Sequence, residues 1–227
     1  MKEISINSFT ELHEHMDTYG TKVMIYRGVK SIDYKLLPKI GRLSPPLPTD
    51  DKSENEIAIL QKFKERALPY LTSIPQTDWD WLSLGQHHSL PTRLLDWTSN
   101  PLIACYFAVE EAIEEDESDK PSLIYAYEIK LFISVKDNLD PIQYKRVGKF
   151  IPRHITARIT AQSGIFTIHP NPYEPFTSDN IDRIIIPNEI RFRLKQTLNK
   201  YGINRVSLFP GLDGLARHIQ WENSNEH

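Results

Sequence analysis

Apolar residues recur along the chain with two different periods, which predicts a mixture of helices and strands. Strands are predicted where short apolar runs lie between turn residues, and helices where apolar residues recur every three or four positions after a capping residue. The predicted strands are Lys22–Tyr26, Thr92–Trp97, Ser122–Lys130, Gly164–His169, Arg183–Pro187 and Val206–Phe209. The predicted helices are Phe9–Asp17, Ser53–Leu68, Thr77–Leu84, Asn100–Asp116, Glu189–Lys200 and Gly211–Ile219. This order predicts one α+β domain over residues 1–227, with mixed or antiparallel central sheets and flanking helices.

The stretch from Leu84 to Glu110 places an unusual number of polar side chains at the junctions between predicted elements. Asn100-Pro101 marks a helix start, because a capping side chain is followed by proline at the first helical position. The polar side chains are Gln86, His87 and His88 before a proline turn, and Asp96, Trp97 and Thr98 at the end of the next strand.

Arg27 follows directly on the apolar strand Lys22–Tyr26 and is predicted to lie at its end, with Gly28 next to it. Two interpretations of an arginine in this position are open. It forms an ion pair at the rim of the sheet, or its planar guanidinium binds a phosphate or carboxylate group.

Composition and charge restrict the class of protein. The chain is 40% hydrophobic and 25% charged, has a net charge of −3, and has a pI near 6.2. These values argue against a dominant nucleic-acid-binding or acidic-membrane surface, although a local basic patch remains compatible with them. The N-terminus has no apolar signal region and no later apolar run is long enough to span a bilayer, so a cytoplasmic protein without a membrane partner is expected.

Several common kinds of site are not predicted. The single cysteine, Cys105, lies in an apolar run and is interpreted as a core residue. The side chains that could bind a metal have no recognised ligand spacing, so no metal site is expected. These side chains are His87, His88, Asp96, His154 and His169. The chain also contains no G-x-S-x-G, no Walker A sequence and no G-x-G-x-x-G.

What remains is a set of polar residues at predicted strand ends. Polar groups in an apolar sheet are costly to bury unless they are paired, so they form either a structural hydrogen-bond network or a binding cleft. A cleft of this kind suits a sugar-phosphate ligand. Arg27 would bind phosphate, Asp96 and Thr98 would bind ribose hydroxyls, and His87 or Trp97 would border the base. Gln86 and Gln162 complete the set.

Four motifs resemble the bacterial FRG domain, whose name comes from a Phe/Tyr-Arg-Gly motif. They are Tyr26-Arg27-Gly28, GQHHSLPTRLLDWTSNPLIACYFA, AQSGIF and SLFPGLDGLA. The resemblance covers about Val23 to Ile219 and implies a single FRG-like domain with its core in residues 23–219. The family has no established activity that could be transferred to this chain.

A more distant resemblance is to ADP-ribosyltransferases of the arginine–serine–glutamate type. Arg27 matches their arginine, Asp96-Trp97-Thr98 takes the place of Ser-Thr-Ser, and Ala104–Ala108 keeps the A-x-x-F-A pattern. The resemblance implies an ADP-ribosyltransferase-like fold with NAD as substrate, either for transfer of ADP-ribose or for hydrolysis of NAD.

The resemblance also implies a late glutamate, and this chain offers Gln162 at the closest position or Asp182 in another placement. A glutamine can hydrogen-bond a ribose hydroxyl but cannot act as a carboxylate or a base. The predicted catalytic residues are Arg27, His87 and Gln162. The predicted nucleotide contacts come from Tyr26, Arg27, Gly28, Gln86, Asp96, Trp97 and Thr98.

A non-enzymatic module is the alternative interpretation. It would bind nucleic acid or protein in a bacterial defence or toxin system, and the sequence specifies no macromolecular acceptor for either interpretation. The late basic run and exposed aromatic side chains would form its binding surface. The basic residues are Lys145, Arg146, Lys149, Arg153 and Arg158.

Overall fold

Seven strands form one mixed sheet in the computed structural model, which describes residues 2–43, 52–110, 120–134, 140–152 and 156–224. The sheet order is β1-β7-β4-β2-β3-β6-β5, with β1 parallel to β7 and the other neighbours antiparallel. The strands are β1 (Glu3–Ser5), β2 (Met24–Val29), β3 (Leu94–Thr98), β4 (Ser122–Glu128), β5 (Gly148–Phe150), β6 (Gly164–Ile168) and β7 (Ile181–Ile186). The predicted α+β class, with a single domain and flanking helices, is confirmed.

Helices cover the sheet. They are α1 (Phe9–Asp17), α2 (Lys52–Ala67), α3 (Asp78–His87), α4 (Pro101–Val109), α5 (Ala157–Ala161), α6 (Asn188–Lys200), α7 (Arg205–Leu208) and α8 (Leu212–Ser224). In the described residues, 3-10 helices are formed by Lys39–Arg42, which we call the 3-10 segment, and by Leu68–Tyr70. None of the helices in the described ranges is both long enough and apolar enough to cross a membrane.

Local capping explains where several helices begin. Ser8, Thr77 and Asn100 each accept a hydrogen bond from a backbone N–H in the first turn of the helix that follows. Each cap satisfies a donor that the helix itself leaves unpaired. The three predicted helix starts are therefore confirmed.

The sheet is divided between β2 and β3. β2 pairs with β4 over its whole length, whereas its described pairing with β3 consists of Tyr26 and Thr98 alone. We call β1-β7-β4-β2 the four-stranded half and β3-β6-β5 the three-stranded half. Because this ladder is so short, backbone groups of β2 and β3 next to the pair are not used in strand pairing and can bond other groups.

Helix α4 packs closely on β2 because Gly28 has no side chain. A Cβ at this position would lie 1.8 Å from the backbone oxygen of Ala104. The nearly all-apolar sequence of α4 supplies the buried face of this contact, which includes Ala104, Cys105 and Ala108. The prediction that Cys105 is a core residue is confirmed, and burial raises the pKa of its thiol to about 12.

The predicted strand Val206–Phe209 is wrong, because residues 205–208 form helix α7. Asn204 and Ser207 form a capping box at its start, and these local hydrogen bonds outweigh the short apolar pattern. Helix α6 begins at Asn188, one residue before the predicted start at Glu189, and Pro187 precedes it.

Two further boundaries change the position of predicted site residues. Arg27 and Gly28 lie within β2 and not at its end, because the strand continues to Val29. Gln86 and His87 lie in the last turn of α3 and not in a loop. Helix α4 ends at Val109, and the rest of the helix predicted up to Asp116 lies mostly outside the described residues.

Candidate functional site

A cavity of about 340 Å³ lies where β2 and β3 stop pairing; we call it the cleft. Elements distant in sequence form its walls: β2, the 3-10 segment, the end of α3, β3, α4, α5 and β6. All nine predicted site residues line it, namely Tyr26, Arg27, Gly28, Gln86, His87, Asp96, Trp97, Thr98 and Gln162. The structure therefore brings together residues that the sequence places up to 136 positions apart (162 − 26).

Arg27 connects the two halves of the sheet at the point where the ladder is missing. Its Nη1 donates to the backbone oxygen of Asp96 at 2.6 Å and lies 3.6 Å from the Asp96 carboxylate. The guanidinium thus takes the place of a strand-to-strand hydrogen bond. Both interpretations of Arg27, an ion pair in the sheet and a group that binds an anion, are compatible with this geometry, because Arg27 pairs with a carboxylate and also lines the cleft.

The Asp96 carboxylate is oriented by a short chain of hydrogen bonds. The Gln86 side-chain amide donates to Asp96 Oδ2 at 2.9 Å, and the Thr92 hydroxyl donates to Gln86 Oε1 at 2.6 Å. With its oxygen fixed by Thr92, Gln86 must present its NH₂ group to Asp96. The Asp96 side chain remains 55% exposed, so a ligand in the cleft can reach it.

The cleft carries an excess of positive charge. Arg27, Lys39, Arg42 and Arg158 line it, and Asp96 is the one carboxylate among its described lining residues. Lys39 Nζ donates to the backbone oxygen of Ser89 at 2.7 Å, which holds the 3-10 segment against the end of α3. An anionic ligand is favoured in such a setting.

The pKa directions agree with this clustering of charge. Desolvation and the neighbouring charge of Arg27 lower the pKa of Arg42, while Asp96 acts in the opposite direction. Desolvation also lowers the pKa of Arg158, and the carboxylates of Asp96 and Glu110 act against it. Guanidinium groups nevertheless stay protonated near neutral pH, because their ordinary pKa is above about 12.

The sequence pattern does not identify Lys39 and Arg42 as residues of the cleft. Arg42 falls in a stretch that reads as an exposed proline-rich loop, and neither residue belongs to a periodic or motif pattern. Only the packing of the 3-10 segment beside α3 brings them to the cleft.

His87 is half-buried and lies at the end of α3. Burial lowers the pKa of His87, and the nearby charges of His88 and Arg158 lower it further against an opposing effect of Asp96. His87 is therefore neutral at neutral pH and can accept a proton or donate a hydrogen bond.

Gln162 lies just after α5 and connects it to α7. Its Nε2 donates to the backbone oxygen of Leu208 at 3.0 Å, which leaves Oε1 as the atom that can face a ligand hydroxyl. Asp182, the other placement considered for this role, lies in β7 and accepts hydrogen bonds from Tyr19 and the Lys2 backbone. Of the two placements, Gln162 is the one at the cleft.

The Trp97 side chain is buried, although the residue lines the cleft. The residue is 3% exposed, and its indole N–H donates to the Thr167 hydroxyl at 2.8 Å. Alternation along β3 turns the ring into the core beside Tyr127. Trp97 therefore contributes to the wall of the cleft from a buried position.

Three other predicted contacts have structural roles. The Thr98 hydroxyl accepts the Asn100 N–H at 3.1 Å and supports the start of α4. Gly28 allows α4 to approach β2, and Tyr26 is buried, which raises the pKa of its hydroxyl. In the Tyr-Arg-Gly motif, Arg27 therefore places its charge at the cleft, whereas Tyr26 and Gly28 form part of the cleft wall.

Within the described ranges, no three His, Cys, Asp or Glu side chains come together as a metal site. His169 bonds Thr167 at 2.9 Å in the core, and His154 lies outside the described residues.

Part of the chain is similar to a known protein family. No curated protein and no solved structure matches the chain. Residues 22–117, which contain the Tyr-Arg-Gly motif, the end of α3, β3 and α4, match the family model of the FRG domain. The match covers less than half of the chain, so it shows a similarity to the FRG domain over residues 22–117.

Proposed function

We propose that the cleft binds NAD or a closely related nucleotide. The observation that carries this proposal is the convergence of Arg27, Arg42 and Arg158 around Asp96 in one cavity. Guanidinium groups bind phosphate oxygens in pairs of parallel hydrogen bonds, so the cations suit the pyrophosphate. The volume of about 340 Å³ lies within the range of roughly 300–1,000 Å³ that is typical of small-ligand pockets.

The ribose is proposed to lie at Asp96 and Gln162. A carboxylate accepts hydrogen bonds from ribose hydroxyls, and the Gln162 Oε1 can accept another. Gln86 fixes the carboxylate in place, so the ribose would meet an oriented acceptor with no rearrangement of the side chain.

We further propose that the cleft cleaves the bond between nicotinamide and ribose, as in ADP-ribosyltransferases. In hydrolysis, this C–N bond breaks and nicotinamide leaves with the bonding electrons. A water oxygen bonds to C1′ and releases a proton to neutral His87. The Asp96 carboxylate would stabilise the positive charge that develops on the ribose. In transfer, an acceptor nucleophile takes the place of water.

A thermal-shift experiment tests binding. Millimolar NAD is expected to raise the melting temperature of the wild type, because a ligand that binds only the folded state stabilises it. Arg27→Ala should abolish the shift, and Arg27→Lys should reduce it because lysine lacks the planar fork. Arg193→Ala, an exposed arginine of α6 away from the cleft, is the matched control and should keep the full shift. The absence of any shift in the wild type would refute the proposal.

Turnover is tested separately, by measuring nicotinamide released from NAD by mass spectrometry. His87→Gln and Asp96→Asn should lose release while keeping a thermal shift. A thermal shift without release by the wild type would identify a non-enzymatic nucleotide-binding module.

A further inference from the structure

Helix α3 ends at the cleft in a turn that requires a left-handed backbone conformation. The Leu90 N–H donates to the Gly85 oxygen at 2.8 Å, and the Ser89 N–H donates to the Gln86 oxygen at 3.0 Å. These are the two bonds of a Schellman motif, which places the residue after the helix C-cap in the left-handed region. Ser89 is that residue, and its φ is +67°. The turn therefore fixes the conformation of residue 89 but does not require a serine there.

The equivalent turn at the end of α6 shows which residue type suits this conformation. The Ile203 N–H donates to the Leu198 oxygen at 2.9 Å, and the Gly202 N–H donates to the Asn199 oxygen at 3.0 Å. Gly202 has a φ of +75° and is not among the described lining residues of the cleft. Glycine adopts the left-handed region freely, whereas a residue with a side chain is strained in it. The serine at the end of α3 therefore lowers stability, and strained residues of this kind cluster at functional sites.

The Ser89 hydroxyl is available to a ligand. Ser89 is exposed and lines the cleft, and its hydroxyl has no hydrogen-bond partner among the described residues. Lys39 Nζ donates to the Ser89 backbone oxygen, which holds the ammonium group against the same residue. This bond uses one of the three N–H donors of the lysine. A hydroxyl donor and a charged N–H donor on one side of the cleft suit the oxygens of an anionic group.

We propose that Ser89 is a specificity-determining residue of the cleft, whose hydroxyl binds one phosphate group of the nucleotide together with the Lys39 ammonium. The inference rests on the proposed nucleotide binding and adds a contact to it, because the phosphate-binding groups named above are guanidinium groups. A serine in the left-handed region thus exchanges some stability of the free protein for affinity towards the ligand.

Ser163 supplies a matched control. It follows α5 in the left-handed region, with a φ of +47°, and its N–H donates to the Thr160 oxygen at 3.0 Å. Its neighbours Gln162 and Gly164 line the cleft, but Ser163 is not among the described lining residues. Glycine at position 163 therefore removes the same kind of strain beside the cleft without removing a hydroxyl that lines it.

Melting temperatures without ligand and calorimetric titrations with NAD, both on the full chain, test this exchange. Ser89→Gly should raise the melting temperature by about 1–3 °C. It should also weaken NAD binding by on the order of tenfold, because a hydrogen bond to a charged group is lost. Ser89→Ala lacks the hydroxyl but keeps the strain of a side chain, so it should weaken binding equally with little change in melting temperature. Ser163→Gly should raise the melting temperature and leave the Kd of NAD unchanged.

Titration with inorganic pyrophosphate tests whether the contact is made to phosphate. The wild type should bind it, and Ser89→Ala should weaken this binding by a factor similar to that for NAD. No binding by the wild type, or equal binding by the wild type and Ser89→Ala, would overturn the assignment of the contact to phosphate.

The remaining outcomes separate this inference from nucleotide binding itself. If the wild type and Ser89→Ala bind NAD equally, the role of Ser89 is overturned and nucleotide binding stands. If the wild type does not bind NAD, both proposals fail. Equal weakening by Ser163→Gly and Ser89→Gly would assign the loss to a more flexible backbone and overturn the role of the hydroxyl. An unchanged melting temperature in Ser89→Gly would overturn the exchange of stability for affinity.

Discussion

The two halves of the sheet are built on different principles. In the four-stranded half, the long ladders of β2, β4 and β7 bury side chains such as Ile25, Ile124 and Ile184. In the three-stranded half, buried polar groups are joined in pairs and chains. The first half is therefore held mainly by apolar packing, and the second also depends on specific hydrogen bonds.

The difference shows why the cleft lies where it does. Arg93 binds both oxygens of Glu56, at 2.7 Å and 2.9 Å, and also donates to the backbone oxygen of Ile142. This network fixes the start of β3 to α2, and Arg27 bridges β3 to β2 beyond their described residue pair. The four-stranded half contributes Tyr26, Arg27 and Gly28 to the cleft, and the three-stranded half contributes Asp96.

The largest expected effect comes from the buried ion pair of the three-stranded half. Arg93→Ala should lower the free energy of unfolding by about 3–5 kcal/mol, because it leaves the Glu56 carboxylate buried without its cation. Both side chains of this pair are only 3% exposed. Urea denaturation followed by tryptophan fluorescence measures the change.

Lys22→Ala is the control in the four-stranded half. Its pair with Glu128 has a Lys22 side chain that is 55% exposed, so the expected loss is no more than about 1 kcal/mol. Replacing both buried partners, by Arg93→Met with Glu56→Leu, should recover much of the stability lost in Arg93→Ala. Equal losses for Arg93→Ala and Lys22→Ala would remove the distinction between the two halves.

A second effect is an acid sensitivity that arises from His169. Burial, and then the charge of Arg27, lower the pKa of His169 from its ordinary value of 6.5 to about 3. As the pH falls, His169 is protonated in the unfolded chain before it is protonated in the folded chain. The folded state therefore keeps its full stability above pH 6.5 and loses stability progressively as the pH falls from 6.5 towards 3. At about pH 4 the loss should be on the order of 3 kcal/mol.

Urea denaturation at a series of pH values measures this loss. His169→Gln should reduce the slope of stability against pH in the acid range. His13→Gln, at an exposed position on α1, should leave the slope unchanged. A wild-type slope in His169→Gln would assign the acid sensitivity to other groups.

The smallest effect concerns the hydrogen bonds between Trp97, Thr167 and His169. Thr167→Val should cost about 1–3 kcal/mol, because it leaves the buried indole N–H without its acceptor. Thr167→Ser keeps the hydroxyl and should cost less than the valine variant. If Thr167→Val were neutral in urea denaturation, this polar chain would not be part of what holds the three-stranded half together.

The features that the sequence predicted best are those that depend only on residues close together in the chain. The cap at Asn100 and the proline after it indicated the start of α4, and Ser8 caps α1 at its predicted start, Phe9. It failed for Val206–Phe209, where a short apolar pattern did not reveal the competing cap at Asn204. The strands β1 and β5 were missed because three residues are too few to show a period.

The sequence by itself determined the α+β class, most of the helices and strands, and the identity of the polar residues that line the cleft. Tertiary structure decided what each of them does there. It buried the Trp97 ring, tied Gln162 to α7, and added Lys39 and Arg42 to the cleft. Periodicity and caps act within one or two turns of chain, whereas the bond from Arg27 to Asp96 spans 69 positions and exists only once the two half-sheets have packed.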